Sequence, residues 1–391
     1  MFLLAAMPVL HGEDTRLAAI REALVPMRSA PGPLPARGAE PVFTTIKHEL
    51  RDWIESRLPV LQWDGERWNP NPVVLQEQFN TELDGAGLLF HPPAKPTSNG
   101  YDYYGFLDRI GLEMKPGGVL VVKTSIGIQV CGLDESAYAY QQVDGKWKRF
   151  WETEQDDYTE KNYVPQNLRD IAIGPAGYRG DRLEHLIVTV GFNPWCTSNW
   201  QMVYDRVWQS QGTYAAARLL LDGRELAFRD EPLHAAAGRD NVLIEYGVSD
   251  IGAGFRRPEV RHYQLRSGKL ERTDPVASTP RNFASFWLTD PWQVVSNWTD
   301  ESSRTTLHGW LDQHRGPFNE FNSPTMHCRT RPDLWQVPLT AREDDEQRFY
   351  LLIRWRPPYR FTMVAINQHP SPDCTEEDRE ADQPRSLSLP P

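Results

Sequence analysis

Cysteine is scarce in this chain. Only Cys131, Cys196, Cys328 and Cys374 occur in 391 residues. None forms a Cys-x-x-Cys pair or another zinc-ligand spacing, so no metal site is expected. Long apolar runs are also missing, and without a stretch of about 20 such residues no transmembrane helix is expected. Positive charge is in the minority, with 42 Lys and Arg against 53 Asp and Glu and a net charge of −11. Nucleic-acid binding needs a basic face, and anionic membrane surfaces need basic clusters; neither partner is expected.

Signatures of common chemistries are absent too. Gly117-Gly118-Val119-Leu120-Val121-Val122-Lys123-Thr124 has no glycine directly before the lysine, as a phosphate loop requires. Gly252-Ala253-Gly254 runs into Phe255-Arg256-Arg257 instead of a third glycine and a helix, which weakens a dinucleotide reading. There is no Gly-x-Ser-x-Gly elbow and no His-Glu-x-x-His. His308, His314, His327 and Cys328 are close in sequence but lack the i, i+4 pairing of a helical metal site. No cofactor is expected, and a catalytic role is left open with a non-catalytic one favoured.

What the chain does have is aromatics: fourteen Trp, fourteen Tyr and fifteen Phe. Trp and Tyr suit strands and half-buried surfaces, and they make stacking platforms for sugars or peptides. Two Trp-bearing stretches echo each other. Pro194-Trp195 precedes Ser198-Asn199-Trp200, and Pro291-Trp292 precedes Ser296-Asn297-Trp298. The triplets start 98 residues apart, or two units of 49. Each follows an apolar run expected to be a strand, Leu186 to Val190 and Phe283 to Leu288.

Residues 1–12 resemble the apolar core of a secretory signal that lacks its basic start. Residues 13–60 read as a helical, Pro-rich lead-in. Leu17, Ile20 and Leu24 mark one helix, with Asp14 or Thr15 as its cap and Pro26 as its end. Ile46, Leu50, Trp53, Ile54 and Arg57 mark a second helix over 44–57, separated from the first by a linker at 29–41. From 61 to 111 the signals are loops and short strands, including a hairpin from Trp63 to Trp68. Beyond Gly118 the pattern is mostly β, with Asp144-Gly145, Asp222-Gly223 and Ser267-Gly268 as turns and a last hairpin around Pro357-Pro358.

Strands every ten or so residues and hairpins about every 45 predict an all-β repeat domain over 61–369, a degenerate β-propeller of five to six blades. Tandem β-sandwiches are the alternative. Residues 370–391, acidic and Pro-rich, read as a disordered tail.

The functional expectation is an exported binding or scaffolding module for a protein, peptide or envelope-glycan ligand. A carbohydrate-active hydrolase with two channel carboxylates is the alternative. The candidate contact residues are Trp195, Trp200, Trp292 and Trp298 with Asp250, Asp290 and Asp300. Asp134, Glu135 and Glu245 also fall in or near predicted strands. The rival reading of the Trp and Asp positions is structural, with Asp starting turns and Trp filling the space between sheets. His185 and His262 need only hydrogen-bond partners. In an exported protein the cysteines pair, with Cys328–Cys374 favoured and Cys131–Cys196 as its complement; in the cytoplasm they stay free. The expected location is secreted or periplasmic, with cytoplasmic as the alternative.

Overall fold

The computed structural model describes residues 14–29, 40–63, 67–95, 103–129, 132–154, 167–179, 182–192, 200–212, 217–228, 233–250, 255–275, 277–314, 318–319, 324–341, 347–357 and 360–377. They form two compact units, one up to Leu168 and one from Arg169 onward, with Gln211, Gly212 and Ala217 grouped with the first.

The first unit opens with helices α1 (Thr15–Ser29) and α2 (Glu40–Glu55). Asp14 accepts the Arg16 N–H at 3.0 Å and so caps α1. Pro26 lies inside α1 and does not end it. Tertiary contacts hold the last turn: Met27 is buried and Arg28 Nε donates to the Gly105 carbonyl at 2.7 Å. The α2 stripe is as the spacing predicts. Ile46, Leu50, Trp53 and Ile54 are buried, and Arg57 places its guanidinium 4.3 Å from the Trp53 ring centroid.

Strands β1 (Gln62–Trp63) and β2 (Trp68–Asn69) pair through Trp63 and Trp68. Helix α3 (Pro72–Gly85) follows, where the sequence reading had only loops and short strands. Its signal is local: Asn71 accepts from the Val73 N–H, Pro72 takes the first turn, and Leu75, Phe79 and Leu83 are buried at four-residue steps. An antiparallel sheet then runs in order β3 (Gly111–Lys115), β4 (Val119–Gln129), β5 (Gly132–Val143) and β6 (Lys146–Thr153). Asp144 and Gly145 turn β5 into β6 with φ of 53° and 71°, as a type I′ turn requires. The three helices and this sheet share one core, which includes Phe43, Trp53, Phe79, Tyr138 and Tyr140.

The second unit contains an eight-stranded antiparallel sheet. Its strands are β7 (Asn167–Ile173), whose first two residues belong to the first unit, β10 (Leu186–Phe192), β11 (Trp200–Gln209), β12 (Arg218–Phe228), β13 (Leu233–Ala237), β14 (Asn241–Asp250), β15 (Phe255–Arg266) and β16 (Lys269–Arg272). A small ribbon, β8 (Gly177–Arg179) and β9 (Arg182–Glu184), sits between β7 and β10 in sequence. Ser267 and Gly268 turn β15 into β16, as expected. Asp222-Gly223 is not a turn, because β12 runs straight through it.

Three helices follow: α4 (Pro280–Thr289), α5 (Trp292–Val295) and α6 (Arg304–Gln313). The expected strand Phe283 to Leu288 is therefore a helix. Thr279 accepts the Asn282 N–H at 3.1 Å, Pro280 occupies the first turn, and Phe283, Ala284, Phe286 and Trp287 are buried at helical spacing. These helices pack on a six-stranded sheet made of β17 (Phe318–Asn319), β18 (Met326–Cys328), β19 (Leu334–Ala341), β20 (Arg348–Arg356), β21 (Arg360–Asn367) and β22 (Cys374–Glu377). The β20–β21 hairpin falls where Pro357-Pro358 predicts it. Cys328 and Cys374 form a disulfide, the favoured pairing; Cys131 and Cys196 lie outside the described residues. Cys374–Glu377 is a strand, so the expected tail boundary at 370 falls too early; residues 1–12 and 378–391 lie outside the described residues.

The structure is mostly β, as expected, with helices in both units. Its larger sheets hold eight, six and four strands and do not form a series of equal blades. The echoed stretches differ as well. Trp200 begins strand β11, whereas Ser296–Trp298 is a 3-10 turn after α5. At Trp200 and Trp298, the described ends of the two stretches, the spacing does not mark equivalent elements.

Candidate functional site

A cavity of about 730 Å³ forms a groove in the second unit. That is within the range of about 300–1,000 Å³ usual for ligand sites. The eight-stranded sheet contributes Asn241 and Val242 from β14 and His262, Tyr263, Gln264 and Arg266 from β15. Thr273, Asp274 and Pro275 follow β16. Trp298 comes from the turn after α5, and Arg356, Pro357, Arg360, Phe361 and Thr362 come from the β20–β21 hairpin.

The aromatic wall is built from rings in contact with one another. Trp298 is half-buried, with Phe286 edge-on at 5.6 Å and the Arg272 guanidinium 4.8 Å from its ring centroid. Phe361 is buried between the rings of Phe283 at 5.3 Å and Trp355 at 5.7 Å, both stacked. Tyr263 is buried on β15, and burial pushes its hydroxyl pKa up. The polar wall carries amides and hydroxyls from Asn241, Gln264, Thr273 and Thr362. His262 Nδ1 lies 3.0 Å from Asp274 Oδ2, and the Thr273 hydroxyl donates to the same oxygen at 3.2 Å. His262 thus has the partner its burial requires, as does His185, whose Nδ1 is 2.9 Å from the Gly174 carbonyl.

The buried face of the eight-stranded sheet holds a second polar cluster. Asp205 on β11 is opposite Val190 and Gly223, between Val203 and Val207, and is fully buried. Neither carboxylate oxygen meets a hydrogen-bond partner from another residue. Burial pushes its pKa up to about 6; Arg261 opposes that rise, and Glu225 adds to it. Arg261 is itself held by Glu225 Oε1 at 2.7 Å and Glu259 Oε2 at 3.0 Å.

Of the seven predicted contact residues, the groove takes one, Trp298. Trp292 stacks on His308 at 4.4 Å and packs against the helical core. Asp290 follows the last turn of α4, where its N–H donates to the Phe286 carbonyl. Asp300 caps a 3-10 turn by accepting the Ser302 N–H at 3.1 Å, and its bonds to Ser302 hold its pKa down. Each of these three makes a contact within the fold and none lines the groove. Trp195 lies outside the described residues, as do the side chains of Trp200 and Asp250. Asp134 forms a buried ion pair with Lys47, and Glu245 is raised in pKa by burial. Among the described residues no group of His, Cys, Asp and Glu is arranged to hold a metal ion.

The sequence reading missed Arg356, Arg360, Phe361 and Tyr263. One signal was available: two arginines flank the Pro-Pro turn of a hairpin that the sequence does predict. No family model and no curated protein matches the chain. A solved structure described as "Glycoside hydrolase" matches at 9% identity, over 70% of this chain and 78% of that one, with a TM-score of 0.25. At that score the likeness carries no argument.

Proposed function

We propose that this chain is an exported, non-catalytic binding module that takes a glycan in the groove beside Trp298. One observation carries the reading: a half-buried indole, packed edge-on by Phe286, lines a ligand-sized cavity together with the amide residues Asn241 and Gln264 and the hydroxyl residues Thr273 and Thr362. Sugar rings stack on such faces while their hydroxyls need many hydrogen-bond partners. We read the architecture as tandem sheet-based units, since unequal sheets and interposed helices do not suit blades. The Cys328–Cys374 disulfide supports a secreted or periplasmic location, because disulfides persist in oxidising compartments. No helix among the described residues is long and apolar enough to cross a membrane.

The hydrolase alternative draws on Asp205, whose raised pKa suits a general acid. It needs two carboxyl groups facing one cleft. Among the described lining residues Asp274 is the one acid, and His262 and Thr273 already engage it. The test is a glycan array read with the native chain and with Trp298→Ala, alongside a thermal melt. Binding lost in a variant that still melts like the native chain supports the module. Turnover of arrayed glycans that disappears in Asp205→Asn would support the hydrolase instead.

A further inference from the structure

The groove carries a charge arrangement that a general glycan platform does not need. Arg356 ends β20 and Arg360 begins β21, and the two are direct cross-strand partners. Like charges directly opposite each other destabilise a strand pair. Both side chains are exposed, and neither has an ion-pair partner among the described residues. The nearby acids Asp300 and Asp333 are engaged by Arg354 instead, at 3.4 and 3.3 Å. Arg266 lines the same groove, with Nη1 3.7 Å from Glu271 Oε2. Against these three guanidinium groups the described lining offers the single carboxylate of Asp274, bonded to His262 and Thr273. The chain as a whole carries −11. The groove therefore has the opposite sign to the protein that bears it.

We propose that the groove recognises an acidic oligosaccharide, with its anionic group held by Arg356 and Arg360 and a ring laid on Trp298. This rests on the binding-module reading and adds the ligand class. The anion replaces the repulsion of the arginine pair with charge-assisted hydrogen bonds, for which the guanidinium fork fits carboxylate, sulfate and phosphate alike. An acidic peptide would carry the same charge, but adding a peptide strand needs an open sheet edge. The outer edge of β21 is already met by Thr299 and Asp300, whose N–H donates to the Met363 carbonyl at 2.8 Å.

The test is calorimetric titration of the full chain with five probes: tetragalacturonate, its methyl ester, a sulfated neutral tetrasaccharide, its unsulfated form, and a peptide of four glutamates. The two acidic saccharides distinguish carboxylate from sulfate as the anion. At least one of them should bind, more weakly as salt rises. The matching neutral probe and the variant R356Q/R360Q should each lose about tenfold or more, the scale of one charge-assisted bond. The variant should melt no lower than the native chain, because it removes a repulsive pair. A lower melt would assign the arginines to the fold and overturn the proposal. So would tighter binding of the peptide, or no binding of either acidic saccharide at low salt. Equal binding of the methyl ester, unchanged in R356Q/R360Q but lost in W298A, would overturn the anion assignment while leaving the glycan module intact.

Discussion

Gly223 faces the carboxyl group of Asp205 so closely that a Cβ on the glycine would lie 2.1 Å from Oδ1. The two residues are cross-strand partners on β11 and β12. Asp222-Gly223 looks like a turn signal in the sequence, yet the glycine is in mid-strand. Its missing side chain is the space that houses a buried carboxyl group. A strand glycine often marks such a close approach.

Gly223→Ala is therefore expected to destabilise the second unit by about 1–3 kcal/mol, the usual scale of overpacking. In an Asp205→Ala background the same change should cost little, since alanine suits a strand at least as well as glycine. Urea unfolding of the four proteins measures the coupling directly. Additive costs would mean that the two side chains do not compete for one space.

Asp205 should also make stability depend on pH. Its folded pKa, about 6, is above the ordinary aspartate value of 3.8. Between those values the folded state holds a proton that the unfolded chain has lost. Stability from this group is therefore fully present below about pH 4, falls as pH rises, and levels off above about pH 6. The integrated loss is on the order of 3 kcal/mol. Asp205→Asn should remove that slope, melting higher than the native chain at pH 7 and much the same at pH 4. Melting curves at intervals across this range check it, and an unchanged slope in the variant rules Asp205 out as the titrating group.

Periodic and turn-based features were the legible part of the chain. The α2 stripe, the Asp144-Gly145 hairpin, the Pro357-Pro358 hairpin and the Cys328–Cys374 pairing all depend on residues near each other in sequence or on a short set of alternatives. Where an apolar run is short, strand and helix look alike. Phe283 to Leu288 was decided by Thr279 and Pro280 upstream, a capping signal that the apolar run obscured. The same signal at Asn71-Pro72 announced α3 and was overlooked. The groove was less legible because it is assembled from five separate stretches between Asn241 and Thr362. Repetition drew attention to Trp292 and Trp298 together, but only the packing separates a stacked core residue from one that lines a cavity.

The first unit has its own test in Lys47 and Asp134. Lys47 Nζ lies 2.7 Å from Asp134 Oδ2, and the two side chains are 2% and 0% exposed. Removing one partner leaves a buried charge without its counter-ion, at a cost of about 3–5 kcal/mol. Lys47→Met should therefore destabilise strongly. The double variant Lys47→Met/Asp134→Leu should recover much of that loss, since an apolar pair of similar volume needs no desolvation. Chemical denaturation of the three proteins decides it. A double variant as weak as the single one would show that Asp134 is needed for its other contacts.

The Cys328–Cys374 bond closes a loop with a sequence separation of 46. Both residues are buried and lie opposite each other on β18 and β22, beside Leu334 and Leu352. Cross-linking removes chain entropy from the unfolded state, and a loop of this length corresponds to about 4 kcal/mol. Cys328→Ala/Cys374→Ala should lower the melting temperature of the second unit and leave the first unchanged, because both cysteines and their packing partners belong to the second. Proteolysis distinguishes the two effects: fragments should appear first around β22, whose other ties include its pairing with β18 and the bonds from Arg329 and Thr330 to Asp373. A melt unchanged by the double substitution would mean that strand pairing and the small Leu334–Leu352 cluster hold this corner without the crosslink.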